Sequence, residues 1–262
     1  MQMKTIAFAG ALLASALAAN TAQAGSIIGL VDGKTIVTID PATRKVTGSA
    51  DIKGASGALL GIDVRPADGM LYGVAADGTI VTIDHKTGQA TMKSKIAEML
   101  KANGDVTFDF NPAADRLRLM SPDGTSLRIN VDDGKVTVDG SHKFKEGDAN
   151  AGKTPKVVAG AYSNSLNPKP AATALYNIDA TTWTLVSQAP PNDGVLNTIG
   201  PLGITATTPV AFNIVASAGD KNDAWLATGD NLYSVDLKTG KATLAGKLEG
   251  IKGKLTDIAW VD

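Results

Sequence analysis

Cysteine is missing from all 262 residues. Its absence excludes disulfides, thiolate metal ligands, a cysteine nucleophile and a lipid-bearing cysteine. Glutamate is nearly missing as well: among 26 acidic residues only Glu98, Glu146 and Glu249 are Glu. Aspartate suits turns and glutamate suits helices, so the bias excludes a mainly helical chain. Histidine occurs only at His85 and His142, and neither has the spacing of a catalytic triad or a metal motif. Aromatic residues make up 5% of the chain, too few for the ring platforms of a sugar lectin. A net charge of −1 leaves no basic excess for nucleic acid or an anionic membrane. Phosphate-binding Gly-rich loops that open a helix are missing too; Asp77-Gly78 and Asp123-Gly124 read as hairpin turns.

What is present begins with a targeting segment. Lys4 is followed by an apolar stretch and then Ala22-Gln23-Ala24, the pattern of a secretory signal peptide cut after Ala24. Residues 1–24 are assigned to that signal and residues 25–262 to one domain. The apolar run is too short to be a membrane span, so the mature chain is expected to be exported, periplasmic or extracellular, and monomeric. With no disulfide available, core packing has to hold it together.

The phrase TIDHKTGQAT at 82–91 recurs as SVDLKTGKAT at 234–243 and, more loosely, as TIDPATRKVT at 38–47. Alternating segments flank an Asp, a polar stretch and a Gly, which is a β-hairpin. Looser copies at 128–138 and 177–186 bring the turn residues to Asp40, Asp84, Asn130, Asp179 and Asp236, spaced 44, 46, 49 and 57. A second series of short apolar strands aligns at Asp63, Asp109, Ala161, Asn213 and Asp257, spaced 46, 52, 52 and 44. Further strands at 70–76, 116–121 and 224–229 give four antiparallel strands per repeat.

Four-stranded repeats of this length predict an all-β β-propeller. The count gives five blades, or six if residues 187–210 hide a degenerate unit. The chain opens on a blade lacking its first strand and ends on LTDIAWVD, a first strand with nothing after it. Joining the two closes the ring and removes an exposed edge. One segment departs from the pattern: Ile96, Met99 and Leu100 at helical spacing, with Ser94 as N-cap, predict a short helix over 94–104.

The stretches GIDVRPADGMLYGV, FDFNPAADRLRLMSPDG, GDANAGKTPKVVAGAYSNS and PPNDGVLNTIGPLG resemble a family of bacterial secreted β-propellers of uncharacterised role, domain of unknown function 4394. The likeness spans nearly all of residues 26–262. It implies a propeller fold and an exported location, and it brings no activity and no site residues.

Candidate chemistry therefore rests on the residues. First strands line a propeller's channel, so Asp63, Asp109, Asn213 and Asp257 are expected to form a ring near the axis, with Ala161 the apolar member. Such a ring needs a hard cation, Ca²⁺ or Mg²⁺, held by these four residues, or partner arginines, raised pKa values, or bonds to the neighbouring blade's backbone. Arg65, two residues beyond Asp63, is the candidate partner. Arg116 and Arg118 are assigned to Asp115 or Asp123, and the turn aspartates to local capping. The loop 143–156, carrying Glu146, Asp148 and Asn150, lacks the full pattern of a calcium loop. The stretch 189–203 reads as a channel-mouth cover or a long connection. Two functions follow: an exported non-catalytic module binding a small ligand or an envelope protein, or a metal-assisted hydrolase of the lactonase or esterase kind.

Overall fold

A computed structural model describes residues 25–97, 105–166, 168–217 and 221–262. The proposed signal segment lies outside them, as does most of the expected helix. Ser94, its expected N-cap, instead belongs to a strand and pairs with Ile80, while residues 98–104 lie outside the described residues. Among the described residues no helix is long and apolar enough to cross a membrane, and the single helical element is a 3₁₀ turn at Pro191–Asp193.

The strands form five antiparallel blades. Blade 1 holds β1 (Ser26–Val31), β2 (Thr35–Ile39) and β3 (Val46–Asp51). Blade 2 holds β4 (Leu59–Val64), β5 (Leu71–Ala75), β6 (Thr79–Ile83) and β7 (Ala90–Lys95). Blade 3 holds β8 (Thr107–Asn111), β9 (Arg116–Met120), β10 (Ser126–Ile129) and β11 (Val136–Val138). After β12 (Lys143–Phe144), blade 4 holds β13 (Val157–Tyr162), β14 (Leu175–Asp179), β15 (Thr184–Gln188) and β16 (Val195–Pro201). Blade 5 holds β17 (Val210–Ser217), β18 (Lys221–Thr228), β19 (Asn231–Val235) and β20 (Ala242–Lys247). The last strand, β21 (Leu255–Val261), pairs with β1 from Ser26↔Val261 to Val31↔Leu255 and supplies the inner strand of blade 1. The termini thus close the ring, and β21, β4, β8, β13 and β17 pack side by side around the axis.

Each blade is covered on both faces by its neighbours, so strands near the axis are largely buried on both faces: all five residues of β5, the second strand of blade 2, are buried. Outer strands meet solvent and turn polar, as in β7 and β20. The core accordingly divides into five apolar clusters, one in each seam between blades. The seam between blades 3 and 4 has the smallest, built around Met120, Phe144, Tyr162 and Leu196. Polar side chains make up the difference there.

The repeated phrase has a structural reason. Four residues after the turn Asp, the chain enters the left-handed region and its N–H bonds back to that residue's carbonyl: Gly88 (φ 73°, 2.8 Å to Asp84), Gly134 (φ 72°, 2.8 Å to Asn130) and Gly240 (φ 78°, 2.8 Å to Asp236). The Asp or Asn carboxyl or amide oxygen takes the N–H two residues on, as Asp84 does from Lys86 at 2.9 Å. The Gly then docks on the outer strand of the preceding blade. A Cβ on Gly134 would lie 2.0 Å from the Lys95 carbonyl oxygen, and one on Gly88 2.2 Å from that of Asp51. In blade 1 the position is held by Arg44, at φ 61°.

Two expectations about blade 4 are corrected. Asp179 sits at the β14–β15 turn, the second-to-third connection, whereas the other four phrases join third strand to fourth. The same local turn recurs there, with Trp183 at φ 51°, so its sequence does not reveal which hairpin it serves. Residues 189–203 neither cover the channel nor hide a sixth blade: they supply the 3₁₀ turn and β16, the outer strand. Its edge is capped by β12, in parallel, through Lys143↔Val195 and Phe144↔Leu196. Asp148 of the loop that follows accepts from the Thr198 N–H (2.7 Å) and hydroxyl (2.6 Å), which stitches that loop to the same strand.

Candidate functional site

Asp63, Asp109, Ala161, Asn213 and Asp257 do fall on the five inner strands, all at most 8% exposed. Three of them fasten one blade to the next. Asp257 accepts from the Ile62 N–H of blade 2 (2.9 Å) and from its own neighbour Ile258 (2.9 Å). Asp63 accepts from the Phe110 N–H of blade 3 (2.8 Å) and from Val64 (2.8 Å). Asp109 accepts from the Tyr162 N–H of blade 4 (2.9 Å). At Ala161 the series breaks. Among the described residues no group of three or more acidic or histidine side chains lies together in a metal-holding arrangement.

Burial pushes all three carboxyls up, against the pull of those N–H donors. Asp63 rises to about 7, and the Asn213 amide favours its ionised form. Asp109 is raised further by the charges of Asp63 and Asp257, and Asp257 by that of Asp63. Desolvation acts oppositely on His142, which falls to about 4 with Arg118 nearby. A pH dependence follows. The folded state holds a proton on Asp63 that the unfolded chain releases near pH 4, so this stability is lost as pH rises from about 4 to about 7. His142 contributes the opposite slope, losing stability as pH falls from 6.5 to about 4. Asp63→Asn should therefore gain stability relative to the parent protein as pH rises across that window, measured by urea unfolding at pH 4, 5.5 and 7; a constant difference would contradict the raised carboxyl.

The ring members differ in what lies above them. A cavity of about 580 Å³ opens at the channel mouth where the inner strands end. Asp63 and Asn213 line it, whereas Asp109, Ala161 and Asp257 do not. Its walls bring in Asp68 from the β4–β5 turn, His85 from the β6–β7 hairpin, and Trp260 and Asp262 from the end of the chain. Among the described residues no lysine or arginine lines it. None of Asp68, His85, Trp260 and Asp262 was singled out as a site residue in the sequence; the recurring hairpin period was the signal that would have placed His85 on this face.

The arginine assignments are corrected. Arg65 does not partner Asp63. It belongs to the turn beyond β4, where strand alternation no longer applies, and it reaches blade 3. There it pairs with Asp115 (2.6 Å) and Asp132 (3.0 Å), besides Asp68 (3.2 Å) of its own turn. Arg118, 1% exposed, pairs with Asp139 and not with Asp115 or Asp123. It also donates to Tyr162 Oη (3.1 Å), Ser126 Oγ (3.0 Å) and Asn192 Oδ1 (2.9 Å), filling the seam between blades 3 and 4. Arg116 donates to the Asp115 backbone carbonyl (2.7 Å).

Five blades and a ring closed by β21 on β1 define a five-bladed β-propeller. The chain belongs to the family described as Domain of unknown function (DUF4394), which matches residues 35–259. No curated protein matches it. Among solved structures, a protein of unknown function from Bacteroides caccae aligns at 14% identity over 87% of this chain and 76% of its own, with a TM-score of 0.45. The computationally designed protein Ika8 aligns at 18% identity over 88% of this chain and 61% of its own, with a TM-score of 0.36. Likenesses this distant carry no role across.

Proposed function

We propose that this chain is an exported, non-catalytic binding propeller of the cell envelope that takes a small polar ligand in the channel mouth. The observation that supports it most is the cavity of about 580 Å³ at the channel mouth, a concave site of the size small-ligand pockets have. The ring beneath has a structural use for its carboxylates, since Asp63 and Asp257 each hold two backbone N–H groups. Export rests on the Lys4, apolar-run and Ala22-Gln23-Ala24 pattern.

The test is a thermal-shift screen with small polar compounds of every charge class, repeated on Ala216→Trp, which fills the cavity from its wall. The reading predicts compounds that raise the unfolding midpoint of the parent protein and not of the filled variant. Shifts that persist in Ala216→Trp, or none for any compound, would overturn it; in the second case an envelope protein becomes the partner to seek. The hydrolase alternative places Ca²⁺ or Mg²⁺ at Asp63, Asp109, Asn213 and Asp257. It requires turnover of an ester or lactone probe that disappears in Asp109→Asn/Asp257→Asn.

A further inference from the structure

We propose that the ligand of the mouth is an organic ammonium, its N–H donors received by Asp63 and Asn213 on the cavity floor and its carbon body set against Trp260. The proposal rests on the reading of the mouth as a small-ligand site and adds the chemistry of that ligand.

Asn213 is the residue that points to it. It is 8% exposed, so its amide is almost removed from bulk water, yet it lines the cavity. It does not continue the series of blade fastenings. The N–H of Ile258 on the next blade, the counterpart of Phe110 and Tyr162, is already held by Asp257 itself. The amide faces Asp63 instead and favours the ionised form of that carboxyl, and it has no hydrogen bond within 3.5 Å to any other described residue. A buried amide with an unused carbonyl acceptor beside a carboxylate receives a donor group bearing positive charge.

The surroundings select the same class. Asp68 and Asp262 add two carboxylates to the walls, and no lysine or arginine is among the described lining residues. An anion entering this cavity would face the carboxyls of Asp63 and Asp262, together with Asp68, whose ion-pair partner, Arg65, is shared with Asp115 and Asp132. Asp68 is held in place by Arg65 (3.2 Å) and the Tyr72 hydroxyl (2.8 Å), and Asp262 by the Trp260 indole N–H (3.2 Å). Trp260 lines the cavity, and an aromatic face attracts cations through its quadrupole. A compact inorganic cation would use little of the cavity's volume. An alkyl ammonium uses more of it and meets apolar wall from Val64, Leu71 and Ile214.

The experiment titrates the full chain with 1,5-diaminopentane, 1,5-pentanediol and glutarate, which share a five-carbon chain length and differ in charge. Binding is followed by calorimetry and by the indole N–H resonance of Trp260. The expected result is saturable diamine binding at least tenfold tighter than diol binding, with glutarate inert. Asn213→Leu should weaken the diamine at least tenfold at an unchanged unfolding midpoint; Asn213→Ala serves if the leucine variant is unstable. Glutarate or diol binding as tightly as the diamine would overturn the ammonium class while leaving the mouth as a ligand site. Diamine binding that survives both Asn213 variants would also overturn it. If no compound of any class binds the parent protein, the reading of the mouth itself fails.

Discussion

Arg118→Met is expected to destabilise the protein by about 3–5 kcal/mol, the cost of removing one partner of a buried ion pair. Arg118 runs through the seam between blades 3 and 4, where the apolar cluster is smallest. Its guanidinium is the common partner of Tyr162, Ser126, Asp139 and Asn192. Methionine replaces the stem and none of the donors. Asp139, its side chain 4% exposed, would keep Arg128 (2.7 Å) as its remaining ion-pair partner, which argues for the lower end of the range. The Asn192 amide and Tyr162 hydroxyl would also lose a buried partner. Urea unfolding measures the difference, and a loss below about 1 kcal/mol would show that the network is dispensable. Lysine should rescue little, because a point charge cannot serve four partners set in a fork.

Gly134→Ala should cost a comparable amount, about 2–6 kcal/mol, for a different reason. The new Cβ would lie 2.0 Å from the Lys95 carbonyl oxygen, in backbone at φ 72°. A left-handed non-Gly residue costs roughly 1–3 kcal/mol, and overpacking typically adds about 1–3 kcal/mol. The clash is with backbone of the neighbouring blade, so relief requires the blades to part. Blade 1 provides the internal control. Arg44 already occupies the equivalent position at φ 61°, and Arg44→Gly should be neutral or stabilising by up to about 1 kcal/mol, the left-handed penalty it removes being partly offset by glycine's greater freedom in the unfolded chain. Thermal unfolding of the two variants side by side checks both signs; a tolerated Gly134→Ala would mean that the phrase repeats for some reason other than docking between blades.

Much of this architecture was legible because propellers write their geometry as a period. The two strand series, the five inner-strand positions and the split blade at the termini all follow from spacings of 44 to 57 residues. The fourth blade misled, because a turn with a left-handed residue four positions after an Asp forms equally well at 179–183 and at the outer hairpins. Side-chain partnerships were less legible still. Arg118 meets Asp139 and Asn192 at separations of 21 and 74 residues, and Arg65 reaches Asp115 across 50. Those distances are set by how blades face one another, which no local pattern encodes. The four polar positions lie on inner strands as their period implies, but what each one contacts was not readable. Asp63 both reaches the next blade's N–H and lines the open mouth, whereas Asp109 and Asp257 do only the first.

That division is the centre of the account, and unfolding in the presence of a metal chelator tests it most directly. The thermal midpoint of the protein would be measured as purified, after chelation, and with Ca²⁺ or Mg²⁺ restored. If Asp63, Asp109 and Asp257 are fastened to backbone N–H groups, the three midpoints coincide. A midpoint that falls on chelation and returns with one ion would make the ring a cation site and contradict the fastening.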